Sequence, residues 1–183
     1  MSFTEDLVEQ VALNVFQELG WDFADPLLIA PDGKEKARGS YGEVVLRGIL
    51  TDAAHRLNPD VPEDVLEAAI RQVQISETPS LIEENRRIHK LLVEGVDVEY
   101  RRPDGSIKGD KVRLIDFSSV ANNVFTVTKQ FTVVEGGFNR RPDVVAFING
   151  LPVAVIELKN AASENATISD AFNQLQTYKQ QIP

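Results

Sequence analysis

A proline and an aspartate stand together at Pro142-Asp143, and further along the chain Glu157 and Lys159 lie two residues apart. Two carboxylates with a lysine beside them can hold a hard divalent cation and keep a water next to it. Such a cation lowers the water's pKa and stabilises negative charge on a phosphoryl group. Lys159, flanked by carboxylates, then reads as a charged group that orients the nucleophile or steadies the phosphate, not as a free-standing base. A Glu-x-Lys triplet says little alone, because both residues are abundant. Its weight comes from the segment that carries it.

That segment runs from Arg140 to Lys159, where two apolar runs, Val144 to Ile148 and Val153 to Leu158, flank Asn149-Gly150. Asn and Gly tolerate the positive φ angles of tight turns, so the stretch predicts a β-hairpin. Both runs are apolar at successive positions, which predicts strands covered on both faces. Side chains alternate along a strand, so Glu157 and Lys159 share a face. Whether Asp143 joins them depends on register. A strict two-residue turn sets Asp143 opposite Ile156 and turns it away from Glu157. A three-residue loop with Gly150 as bulge, or an equivalent bulge near Pro142 or Pro152, brings Asp143, Glu157 and Lys159 to one face, and this is the register expected.

The elements that must position the hairpin follow from periodicity. Ser2 with Glu5 has capping-box spacing, and Leu7, Val8, Val11, Ala12, Val15, Phe16 and Leu19 predict a first helix ending at Gly20. Glu9 flanks that stripe below Leu13 and Phe16, where its carboxylate could reach the edge of a core-facing site; a glutamate so placed is more often a solvated flank residue. Trp21 to Gly39 reads as a loop, and helices are expected over Tyr41 to Leu57, from Pro62 to Val73, and over Ser80 to Glu94. Strands are expected at Val96 to Arg101, Lys111 to Phe117 and Val124 to Val134. After the hairpin, Asn160 to Asn165 reads as a loop and Thr167 to Ile182 as a last helix, with Gln174 and Tyr178 on one side of it.

Composition narrows the function classes. A chain of 183 residues with 43% hydrophobic content can bury one sizeable core. The acidic start lacks the basic region of a signal peptide and no apolar run is long enough to span a bilayer, so a cytoplasmic protein without membrane attachment is expected. There is no cysteine, which excludes disulfides and thiolate metal sites and leaves hard cations with oxygen ligands. His55 and His89 lack a partner at metal-ligand spacing and are read as surface or structural. The net charge of −9 opposes autonomous tight binding to nucleic acid. It leaves room for a nuclease whose cation offsets its own carboxylates and whose basic track lies on a partner domain.

Pro142-Asp143 followed by Glu157-Leu158-Lys159 resembles the PD-(D/E)xK nuclease motif. The longer string from Arg141 to Asn160 resembles the N-terminal nuclease domain of type I restriction enzyme restriction subunits. Asn123, Phe125, Gln130 and Phe131 resemble that family's Asn-x-Phe and Gln-Phe positions, Gln174 with Tyr178 resembles its Gln-x-x-x-Tyr element, and Thr4 to Gly20 its opening helix. Lys129 departs from the pattern, standing where a second polar amide would be expected. The resemblance implies a restriction-endonuclease-like α/β/α core with a mixed central sheet, an inserted helical segment at about 41–95 and a catalytic core at about 96–183 together with the first helix, all in one nuclease domain at the start of a larger motor subunit. It implies Mg²⁺-dependent hydrolysis of double-stranded DNA, with specificity and methyltransferase subunits as partners and ATP needed only by the motor region. Asp143, Glu157 and the Leu158 carbonyl would bind the metal and Lys159 would position the attacking water. Glu9, rather than Glu5, would contact the metal's outer shell or a second ion, while Gln174 and Tyr178 would support the site. The competing readings are a non-catalytic docking module of the same fold and a stand-alone repair nuclease.

Overall fold

The computed structural model describes residues 5–159 and 167–182. The expected Ser2 cap and the Asn160–Asn165 loop lie outside the described residues. In chain order the elements are α1 (Glu5–Glu18), β1 (Asp22–Phe23), α2 (Arg47–Leu57), α3 (Glu63–Gln74), α4 (Leu81–Glu94), β2 (Val96–Arg101), β3 (Ile107–Val112), β4 (Phe125–Lys129), β5 (Val133–Glu135), β6 (Phe138–Arg140), β7 (Val144–Ile148), β8 (Leu151–Ile156) and α5 (Ile168–Gln181). They form two compact units, residues 1–46 with 125–183, and residues 47–124.

The first unit is built on a four-stranded sheet in the order β1-β4-β7-β8. β1 runs parallel to β4 while β4, β7 and β8 pair antiparallel, so the sheet is mixed and the fold is the restriction-endonuclease-like α/β fold expected. Leu13 of α1 packs on Val127 and Val144, with Phe16, Trp21, Ile156 and Leu158 around them. Trp21 stands edge-on between Phe16 and Phe125, at centroid distances of 5.2 and 5.1 Å. The face of α1 toward the sheet therefore carries Glu9, Leu13 and Phe16. Leu7, Val11 and Val15, expected to share in the buried stripe, are exposed.

The β7–β8 hairpin settles the register. Ile148 pairs with Leu151 across a two-residue turn, with Asn149 and Gly150 at φ 51° and 79°. The ladder shifts between Phe147, which faces Pro152, and Ala146, which faces Ala154. Val153 is the extra residue, so the bulge lies next to Pro152, one of the positions anticipated. Beyond it Val144 pairs with Ile156, and the same register carried one step past the ladder sets Asp143 level with Glu157.

Further expectations are corrected. β8 is not covered on both faces: it is the outer strand of the described sheet, and Val153 and Val155 are each 43% exposed. The helix expected from Tyr41 begins only at Arg47, because the preceding backbone is engaged elsewhere. Tyr41 C=O accepts from Val134 N–H, Glu43 C=O accepts from Arg38, and Leu46 N–H donates to Gly150 C=O. The expected strand from Val124 to Val134 breaks at Gln130, whose φ of 51° ends β4, and Val133 starts a separate ribbon, β5–β6.

The second unit packs α2 and α3 through Leu50, Ala53, Leu66, Ala69 and Ile70, with Val96 and Val112 of the two-stranded β2–β3 ribbon also fully buried. Ser80 caps α4 by accepting from Glu83 N–H, and Gly95 ends it at φ 83°. The strand expected at Lys111 to Phe117 is displaced to Ile107–Val112. Asn58 takes both backbone groups of Arg113, at 2.8 Å each, and so stops the ladder there. Among the described residues no helix is long and apolar enough to cross a membrane.

Because Gly150 holds a left-handed conformation in the turn that sets the hairpin, Gly150→Ala is expected to lower the unfolding free energy by about 1–2 kcal/mol. Urea denaturation of parent and variant measures it.

Candidate active site

The cross-strand opposition at the hairpin's open end creates the site. Asp143 is 7% exposed, and the Glu157 side chain only 1%. Leu158 turns toward the α1 cluster, so alternation sends Glu157 and Lys159 to the other face. Lys159 Nζ donates to Glu157 Oε1 at 3.1 Å, and Leu158 N–H donates to Asp143 Oδ2 at 2.7 Å. The peptide between the glutamate and the lysine thus ties the second carboxylate to the first.

From the far side α5 completes a closed ring of hydrogen bonds. Thr167 and Asp170 form a reciprocal cap that fixes where this helix starts. One turn apart, Gln174 and Tyr178 then face the hairpin. Gln174 Oε1 accepts from Lys159 Nζ at 3.0 Å, Gln174 Nε2 donates to Tyr178 Oη at 2.7 Å, and Tyr178 Oη donates to Glu157 Oε2 at 3.1 Å. Burial, with Glu157's charge adding, pushes the Tyr178 phenol up to about 12, so it stays a neutral donor. These two residues brace the Glu157 carboxylate and the Lys159 ammonium.

Glu9 arrives from α1. It is 3% exposed, not a solvated flank residue, and its Oε1 accepts from Gln130 Nε2. The same Gln130 amide reaches Asp143 Oδ1 at 3.4 Å. Burial raises the Glu9 carboxyl above the ordinary carboxylate range; the Gln130 bond draws it back and the Asp143 charge adds to the rise. Glu157 is raised for the same first reason, with Lys159 opposing and Asp143 adding. Desolvated acids crowded together favour a cationic partner.

These groups line a cleft of about 610 Å³ whose remaining wall includes Asn139, Arg140 and Arg141. Arg140 is held by Gln181 Oε1 at 2.6 Å and lies over the Phe138 ring. Arg141 is exposed and makes no hydrogen bond or ion pair among the described residues. Sequence reading missed the part these residues and Gln130 take in the cleft. Two consecutive arginines directly before Pro142-Asp143 were the available sign for the first pair. His55 and His89 are surface residues, the former paired with Glu63 at 2.9 Å.

The donor set suits a small hard dication. The buried carboxylates of Asp143 and Glu157 line the same cleft, with neither sulfur nor imidazole among the lining groups. Among the described residues no three His, Cys, Asp or Glu side chains converge as a metal cage. Magnesium does not need one, since it keeps several waters and commonly takes one or two carboxylates.

The mixed sheet with its flanking helices is of the restriction-endonuclease-like α/β class. Within it, this chain belongs to the type I restriction enzyme R protein N-terminus family, whose sequence profile matches residues 2–183. It is 37% identical over 179 residues to the type I restriction enzyme HindI endonuclease subunit of Haemophilus influenzae, covering 97% of this chain and 17% of that protein. A Methanocaldococcus jannaschii protein, named provisionally as the type I restriction enzyme MjaIXP endonuclease subunit, is 33% identical over 180 residues with the same coverage, 97% and 17%. The chain therefore spans about 17% of the length of these two relatives.

A carboxyl whose pKa is raised on folding binds its proton more tightly in the folded than in the unfolded chain. Its ionisation therefore costs stability, and the cost sets in as pH rises above the ordinary value of 4.5. Without divalent cation, the stability of Glu157→Gln relative to the parent should accordingly grow as pH rises from 4.5 toward neutrality. Urea titrations across that range test the sign.

Proposed function

We propose that this chain is the nuclease domain of a type I restriction subunit, hydrolysing phosphodiester bonds of double-stranded DNA with Mg²⁺. The observation that carries this reading is the buried Asp143 bonded by the N–H of Leu158, the residue between Glu157 and Lys159, with Lys159 bonded to that glutamate. Asp143 and Glu157, assisted by the Leu158 carbonyl, would hold the dication. When bound, it supplies Lewis-acid stabilisation of the phosphoryl charge and a water of lowered pKa.

The chain's own residues do the rest. Lys159 keeps its ammonium beside the nucleophile and steadies the negative charge that grows on the phosphoryl oxygens as water's oxygen bonds to phosphorus and one ester P–O bond breaks. Gln174 accepts from that ammonium and limits its rotation. Tyr178 occupies the second oxygen of Glu157, leaving the carboxylate one orientation. Glu9 acts at the outer shell through Gln130. Arg140 and Arg141 offer positive charge at the cleft wall, where an incoming phosphodiester backbone needs it. The overall charge of −9 makes stable DNA engagement depend on other parts of the assembly, with specificity and methyltransferase subunits as the partners and ATP serving a motor region.

In the complete restriction enzyme, Lys159→Ala is expected to lower the DNA cleavage rate on the order of 10²- to 10³-fold, and Asp143→Ala to lower it at least as far. Complex assembly by size-exclusion chromatography should stay unchanged. Undiminished cleavage with failed assembly would instead mark the domain as a docking module.

A further inference from the structure

We propose that Gln130 is a positioning residue for the acidic centre: its side-chain amide, set between Glu9 and Asp143, fixes where the helix-borne acid stands relative to the hairpin. The proposal rests on the reading of Asp143 and Glu157 as cation ligands. Its first support is connectivity. Gln130 follows the last ladder pair of β4 and β7, Lys129 with Val144, and its own N–H donates to Asp143 C=O at 2.9 Å. Its Nε2 donates to Glu9 Oε1 and lies 3.4 Å from Asp143 Oδ1. A primary amide carries two N–H hydrogens, so one group can serve both acids. The backbone and side chain of a single residue thus grip the main chain and carboxylate of Asp143 and, through the same amide, bond Glu9 of α1.

The second support is conformational. Gln130 holds φ at 51°, a left-handed value unusual for a residue other than Gly, Asn or Asp. The next residue explains how it is held. Phe131 is buried edge-on against Phe147 at 5.4 Å, beneath the Arg38 guanidinium at 3.9 Å, and Arg38 also donates to Thr132 C=O at 2.6 Å. The chain turns at Gln130 so that Phe131 enters the core while the amide faces the cleft. Such outliers persist where the surroundings over-determine them, commonly at functional sites.

The third support is charge. A lysine or arginine between two carboxylates would neutralise them and compete with a dication. An amide orders the same oxygens while leaving their charge available. Gln130 therefore sets geometry without quenching the field that draws the cation in.

The test measures Mn²⁺ affinity by electron paramagnetic resonance on the intact protein. Gln130→Gly accepts the left-handed backbone but lacks the amide, and Gln130→Asn tolerates the backbone with an amide one methylene short. Both should keep the parent's unfolding midpoint while weakening Mn²⁺ binding on the order of 10- to 100-fold. If Asp143→Ala abolishes Mn²⁺ binding but both Gln130 variants bind within about twofold of the parent, well short of the loss expected for an outer-shell partner, the role assigned to Gln130 is wrong and the acidic centre stands. If Asp143→Ala leaves Mn²⁺ binding unchanged, or the parent binds none, the acidic centre itself fails and Gln130's role with it.

Discussion

One extra residue in one strand governs this site. Without Val153 inserted opposite the Ala146–Phe147 step, the two-residue turn at Asn149-Gly150 would place Asp143 against Ile156 and direct the two acids to opposite faces. With it, both carboxylates reach the same end of the sheet, and the alternation that sends Leu158 into the α1 cluster sends Glu157 and Lys159 toward α5. The bulge thus couples packing to chemistry: the apolar residue that anchors the strand end is what orients its charged neighbours. Pro152, which has no N–H to give the ladder, sits at the irregularity as strand prolines do.

Around that ribbon the two helices have different tasks. α5 contributes Gln174 and Tyr178, which with Lys159 and Glu157 form a ring in which each member bonds two others. Such a ring defines a single arrangement of a buried acid and base and leaves neither partner unsatisfied. α1 contributes mass through Leu13 and Phe16 and a single acid through Glu9. The Gln130 amide bonds that acid and reaches Asp143 of the hairpin. The asymmetry fits an inner pair of carboxylates with a third held one group further out.

Much of this was legible in the chain because its signals are local. Asn149-Gly150 between apolar runs, the Thr167-x-x-Asp170 cap and Ser80 before α4 each specify structure within a few residues, and the structure agrees. What escaped depends on distant partners. The run from Val153 to Leu158 reads as covered on both faces, yet burial of a strand depends on its place in the sheet, and β8 is outermost in the described sheet. The residues before Arg47 carry apolar side chains at helical spacing, but Gly150, Arg38 and Val134 claim their backbone groups. Gln130 sits in what reads as a continuous strand, and only the burial of Phe131 shows why the chain must turn there. The side-chain bonds of Gln174 and Tyr178 could be placed on a helix face from spacing, but not aimed without the sheet.

The first unit is also discontinuous in sequence, its opening residues up to 46 joined with those from 125 onward while the intervening stretch folds on itself. Leu13 shares its buried cluster with Val127 and Val144. On a ribosome adding about 5–20 residues per second, the opening helix emerges many seconds before those two strand residues. The middle unit, with its local helix pairs and its own ribbon, is complete well before then. The acidic centre is consequently completed after the middle unit, which folds from its own residues.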